Sequence, residues 1–160
     1  MVSAGTGIFD KPPISVAAMR TVSERRYGDA VALRNTKSNE RANGAMYMAG
    51  FVIECLLKSH LLVEHPWLLH RRQHQLIGPD EHRIWSLCFR SHDLDEIYAN
   101  LPKLLDKLED MYVWKGPGPS VLLRQVSATW TIFARYSTKS ANIAEASEFI
   151  DKVYELKRYL

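Results

Sequence analysis

The stretch MYMAGFVIECLLKSHLL, residues 46–62, constrains the fold more than any other part of the chain. It is apolar enough for a core helix or a membrane span, yet Glu54 and Lys58 stand in its middle. A spanning helix wants about 20 mostly apolar residues. This run is shorter and carries two formal charges and a histidine, so the expectation is a core helix and no membrane. The spacing of Glu54 and Lys58 puts them one turn apart on one face, able to pair. Burying that pair is costly unless further polar groups join it. Helical steps backward from Glu54 pass Gly50 and Tyr47 to reach Asn43, so one face is polar or small and the others apolar.

Periodicity elsewhere is helical throughout, and no alternating strand pattern competes with it. Residues 1–12 read as a flexible leader, after which Pro13 can open a first helix from about Ile14 to Asn35. The TKSNE break offers Ser38 or Asn39 as a cap for a second helix from Glu40 to Glu64, which Pro66 stops. Residues 66–91 lack sustained periodicity and read as a long His-rich connection with at most one short helical turn. A third helix is expected from Asp93, three residues before Glu96 in the capping-box spacing, through Leu101, Leu104 and Leu108 to Met111, with Pro102 marking a kink or a later start. KGPGPS breaks the chain before a fourth helix through Val121, Val126, Trp130 and Phe133. A fifth follows Asn142, again three residues before a glutamate, Glu145. The expected fold is all-α, an up-and-down bundle of four to five helices in one domain over residues 13–160.

Composition excludes little. The chain has 160 residues, 46% hydrophobic and 24% charged, which suits one globular domain. A net charge of +3 is a weak sign of nucleic-acid contact. Cys55 and Cys88 are expected to be buried free thiols. The N-terminus MVSAGTGIFDKPP has no basic region followed by an apolar run, so a cytoplasmic location is expected.

All six histidines, His60, His65, His70, His74, His82 and His92, fall in one window, which also holds Arg71, Arg72, Arg83 and Arg90 but no lysine. His70 and His74 have ligand spacing, but nothing supplies a third or fourth metal ligand, and no metal or cofactor is expected. The arginines with Trp67, Trp85 and Phe89 could form a nucleic-acid surface, but Glu64, Asp80 and Glu81 dilute it, and the plainer reading is that the aromatics anchor the segment to the bundle. No nucleophile elbow, phosphate-cradling loop or paired-carboxylate signature is present.

The segment RANGAMYMAGFVIECLLKSHLL resembles the second helix of HEPN domains, often A-x-x-x-A-G-(apolar)-x-x-E-x-x-L-K. RYGDAVALRN is similar to the family's first helix, HDLDEIYANL to its His-(Asp/Asn)-Leu helix start, WTIFARYS to its Trp-x-x-x-x-Arg-Tyr segment, and ASEFIDKVYELKRYL to its closing helix. The resemblance implies a dimeric all-α bundle of prokaryotic toxin–antitoxin or defence systems. Members act as metal-independent ribonucleases or as nucleotide- or partner-binding companions of a minimal nucleotidyltransferase.

The ribonuclease members carry an Arg followed after four to six residues by His. No histidine here has an arginine at that distance, and the nearest surrogate is Arg135 with Asn142. Asparagine exchanges no proton near neutral pH, and Asn142 also reads as the cap of helix five. The expectation is therefore a binding module in which Glu54, Lys58, His92 and Arg135 form an interior polar line, with Tyr136 or Trp130 available to stack on a base. A divergent ribonuclease using His92 and Arg135 is the alternative, although the plainer reading of His92 is a bundle histidine bonded to a neighbouring helix or capping helix three, and a purely structural dimerisation scaffold is the second alternative. Expected partners are a second copy of the chain, a nucleotidyltransferase-type protein, and RNA or a nucleotide.

Overall fold

The computed structural model describes residues 15–111, 116–132 and 137–160, and every regular element among them is helical. The α-helices are α1 (Val16–Asn35), α2 (Ala42–Glu64), α3 (Gly78–Phe89), α4 (Leu94–Ala99), α5 (Pro102–Glu109), α6 (Pro119–Thr129) and α7 (Ile143–Lys157). Short 3-10 turns lie at Asn39–Arg41, Pro66–Leu69 and Gln73–Gln75.

Ser15 starts α1 by accepting a hydrogen bond from the Ala18 amide at 3.0 Å, which satisfies one of the free donors of the first turn. Lys37, at φ 56, reverses the chain so that α2 returns antiparallel along α1. Ser23 on α1 donates to the Val52 carbonyl on α2 at 3.3 Å, a buried hydroxyl satisfied across the hairpin. The last helix, α7, runs antiparallel to α1 and ties to it by two ion pairs, each from the end of one helix to the middle of the other, Arg34–Asp151 at 3.2 Å and Lys157–Glu24 at 2.6 Å. Ala45, Ala49, Ile53, Leu57 and Leu61 of α2 pack in the same core as Ile150, Val153 and Leu156 of α7. By length and composition Asn39–Glu64 could cross a membrane, with mean hydropathy 1.4, but 72% of that span is buried by the rest of the chain. The apolar run is thus spent on internal packing.

Several expected boundaries move, each for a physical reason. The supposed long connection contains α3, a twelve-residue helix with Pro79 in its first turn followed by Asp80 and Glu81. Proline lacks the amide that a first turn leaves free, and the carboxylates suit the positive end of the helix dipole. Ile84, Leu87 and Cys88 form its buried face. The expected third helix divides into α4 and α5, because Pro102 opens a new helix after Leu101 leaves helical geometry. Asp93 caps α4 by accepting from the Glu96 amide at 2.9 Å. Neither Ser38 nor Asn39 caps α2; Asn39 instead accepts from the Ile143 amide at 2.9 Å, at the start of α7. There Asn142 and Glu145 form the full reciprocal capping box. The leader, Pro13, Phe133, Arg135 and Tyr136 lie outside the described residues.

Candidate functional site

The seam on α2 is where the rest of the chain crosses this helix. Asn43 clamps the approach to α7, donating to the Lys139 carbonyl at 2.8 Å and accepting from the Ala141 amide at 2.8 Å. Two turns on, Gly50 faces the indole of Trp130, so close that a Cβ there would overlap ring atoms. The indole Nε1 donates to the Tyr47 carbonyl at 3.1 Å. Phe51 meets both Trp130 and His92 edge-on, with ring centroids 5.5 and 6.1 Å apart. This docking explains why α6 stops at Thr129: Trp130 turns to extended backbone to seat its ring on α2.

One turn further along α2, Lys58 Nζ donates to Glu54 Oε1 at 2.7 Å, and the two residues are only 6% and 4% exposed. A buried ion pair is stabilised only when its remaining polar atoms find partners. His92 supplies one, its Nδ1 lying 3.0 Å from both Glu54 oxygens. A carboxylate oxygen accepts, so Nδ1 is the donor of this contact and the other ring nitrogen, Nε2, is not engaged by Glu54. The His92 side chain is 42% exposed, so the group at the end of this buried chain reaches the surface.

Two hollows flank the cluster. One, of about 380 Å³, is lined by His92, Asp95, Ser127, Trp130 and Thr131. The other, of about 350 Å³, lies between α1 and α2, with Met19, Arg26, Phe51 and Lys58 among its walls. Cys55 borders this second hollow, and burial together with the Glu54 charge pushes its thiol up to about 11. A larger hollow of about 650 Å³, near the start of α7, holds Lys139, Lys152 and Glu148, and it shares Trp130 with the His92 hollow. Lys152 is there paired to Glu148 at 2.7 Å, which leaves less free charge for a ligand than the volume suggests.

Of the residues picked from sequence, Glu54, Lys58 and His92 come together; Arg135 and Tyr136 fall outside the described residues. Gly50 and Phe51, which shape the wall beside His92, carried no chemical signal of their own in the sequence. The histidines do not converge. His60 bonds the Leu160 carbonyl at 2.8 Å, His65 sits against Trp67, and His70, His74 and His82 are exposed. Among the described residues no group of three or more His, Cys, Asp or Glu side chains is placed to hold a metal. Comparison with protein-family models, with characterised proteins and with solved structures finds no match for this chain.

Proposed function

We propose that the chain is an HEPN-like helical module that binds a nucleotide, an RNA or a partner protein through the His92 hollow, as an accessory component of a prokaryotic toxin–antitoxin or defence system. The carrying observation is His92 itself, oriented from behind by the buried Glu54–Lys58 pair and open to the hollow in front. A buried pair kept at the cost of desolvation is easier to understand when it aims a surface group than as packing alone. The α2 positions that carry the HEPN resemblance each have work in the fold: Ala45, Ala49 and Leu57 are fully buried, Gly50 admits Trp130, and Glu54 and Lys58 form the pair. The α1–α2 hairpin is antiparallel, while α7 runs antiparallel to α1 and in the same direction as α2, joined to it at both starts and both ends; the up-and-down arrangement of the whole bundle comes with the resemblance. The toxin–antitoxin or defence setting, the homodimer and the nucleotidyltransferase-type partner come with the resemblance.

Isothermal titration of the purified protein with nucleoside triphosphates and short RNAs tests the binding role. Heat that disappears in His92→Ala supports it. No heat, together with no co-purifying protein, overturns it. Light scattering after size-exclusion chromatography tests the dimer, which a monomer at micromolar concentration would remove.

A second reading, a metal-independent ribonuclease, is favoured by the same imidazole: a histidine backed by a buried carboxylate can accept and return a proton. Incubation with tRNA in EDTA decides it. Cleavage lost in His92→Ala and in Arg135→Ala supports an enzyme, and absence of cleavage by the unaltered protein removes it.

A further inference from the structure

The second surface of interest is the one built by the turns after α2 together with α3. Between His65 and Arg90 the chain places four arginines, no lysine, and only Asp80 and Glu81 as acids. Two of the arginines lie over tryptophan rings: Arg71 over Trp67 at 5.9 Å and Arg90 over Trp85 at 5.2 Å. Trp85 is itself backed by Phe89, with centroids 5.1 Å apart.

Cross-links hold the two stacks on one face. Arg71 pairs with Glu81 at 2.6 Å, Glu81 also accepts from the Ile77 amide at 2.7 Å, and Arg90 donates to Gln73 at 3.0 Å. Gln73 is two residues from Arg71, a chain distance of about 7 Å at most, so both stacks fall within reach of one short oligomer. Glu81 neutralises Arg71, whereas Arg72 is exposed with no side-chain partner among the described residues, and Arg90 is exposed and bonded only to a neutral amide.

We infer that this face binds a single-stranded polynucleotide. Guanidinium groups set over indoles, within cation–π distance, put charge and aromatic surface side by side for phosphates and bases, and a planar fork of donors suits phosphate oxygens, which a point-charge lysine matches less well. Arginines backed by rings are also pre-oriented, so less side-chain freedom is lost on binding. The inference rests on the binding role proposed above and names its ligand class. The face is contiguous with the His92 hollow, since Arg90 precedes His92 by two residues.

Fluorescence anisotropy with labelled oligouridylate, oligoadenylate and oligothymidylate of about 15 nucleotides tests it across a potassium chloride series. Binding should weaken with salt. The double variant Arg72→Gln/Arg90→Gln should bind at least about ten-fold more weakly, with the log–log salt slope shallower by about 1.4, two single-strand phosphate contacts. Arg25→Gln, an exposed arginine on α1, is the matched control and should change affinity less than about two-fold, and circular dichroism should show all variants folded. The DNA arm separates the two sources of a polynucleotide.

Binding that the double variant leaves unchanged overturns the inference, as does equally tight binding of polyglutamate, which has charge without bases. If polynucleotides fail while a nucleotide or protein still binds in a His92-dependent way, this inference falls and the binding role stands. If nothing binds, both fall.

Discussion

Replacing Gly50 by alanine should destabilise the protein, against the ordinary trend for a glycine inside a helix. Propensity alone favours alanine by about 1 kcal/mol. At this position, however, an added Cβ would overlap the Cδ1, Nε1 and Cε2 atoms of Trp130, whose ring is 3% exposed and anchored on the Tyr47 carbonyl. The indole must back away, losing most of the roughly 3–5 kcal/mol that a buried large aromatic contributes. Offset by the propensity gain, the net loss is about 2–3 kcal/mol, or on the order of 4–12 °C in Tm at this chain length. Urea denaturation followed by circular dichroism reads it as a lower midpoint at unchanged m.

Gly28 on α1 is the internal control, since nothing lies within 4 Å of a Cβ placed there. Gly28→Ala should raise stability by about 0.5–1 kcal/mol. In a Trp130→Ala background, Gly50→Ala should likewise turn stabilising. If Gly50→Ala is as stable as the unaltered protein, or keeps its penalty without Trp130, the steric argument is wrong.

Glu54→Gln should cost about 3–5 kcal/mol, because it strands the Lys58 ammonium in a nearly dry site; Glu54→Leu with Lys58→Met together should recover most of that loss, and a double variant as unstable as the single one would contradict it. Burial pushes the Cys55 and Cys88 thiols up to about 11, so near pH 8 only about one in a thousand of each is thiolate. Ellman's reagent should therefore react slowly with native protein and fast in urea, and rapid native labelling would refute the burial. Burial also holds the His60 imidazole below its ordinary value, outweighing the opposing pull of the Leu160 carbonyl. The unfolded chain then takes up the proton first, so stability present above about pH 6.5 declines as pH falls through that value toward the lower folded one. His60→Gln, which keeps a donor for Leu160, should show a shallower decline between about pH 7.5 and 5.5, and an unchanged slope would count against this account.

Helices α2 and α7 were legible because apolar residues recur along them over several turns and their ends carry strong punctuation, Pro66 after α2 and the Asn142–Glu145 box before α7, whereas α1, which buries only Met19, Ser23 and Ala30, was legible mainly through the breaks on either side of it. The Glu54–Lys58 pair was legible because two charges in an apolar helix at a spacing of four demand a partner. Helix α3 was missed because His and Arg residues mask its short apolar face, although Gly78-Pro79-Asp80-Glu81 was a helix start in plain view. The Trp130–Gly50 seat was not legible at all. A small residue on a seam does not reveal which of four tryptophans will cover it, since that depends on chain paths separated by 80 positions.

The asparagine clamps at the start of α2 also bear on the order of assembly. Asn39 and Asn43 hold backbone groups about 100 positions further along, and the α1–α7 ion pairs bridge 117 and 133 positions. The α1–α2 hairpin needs only a short loop to close, whereas α7 must return across nearly the whole chain before its contacts contribute anything. Folding therefore divides into a fast local step and a late long-range closure. Truncating Asn43 should accelerate unfolding while leaving the refolding rate almost unchanged.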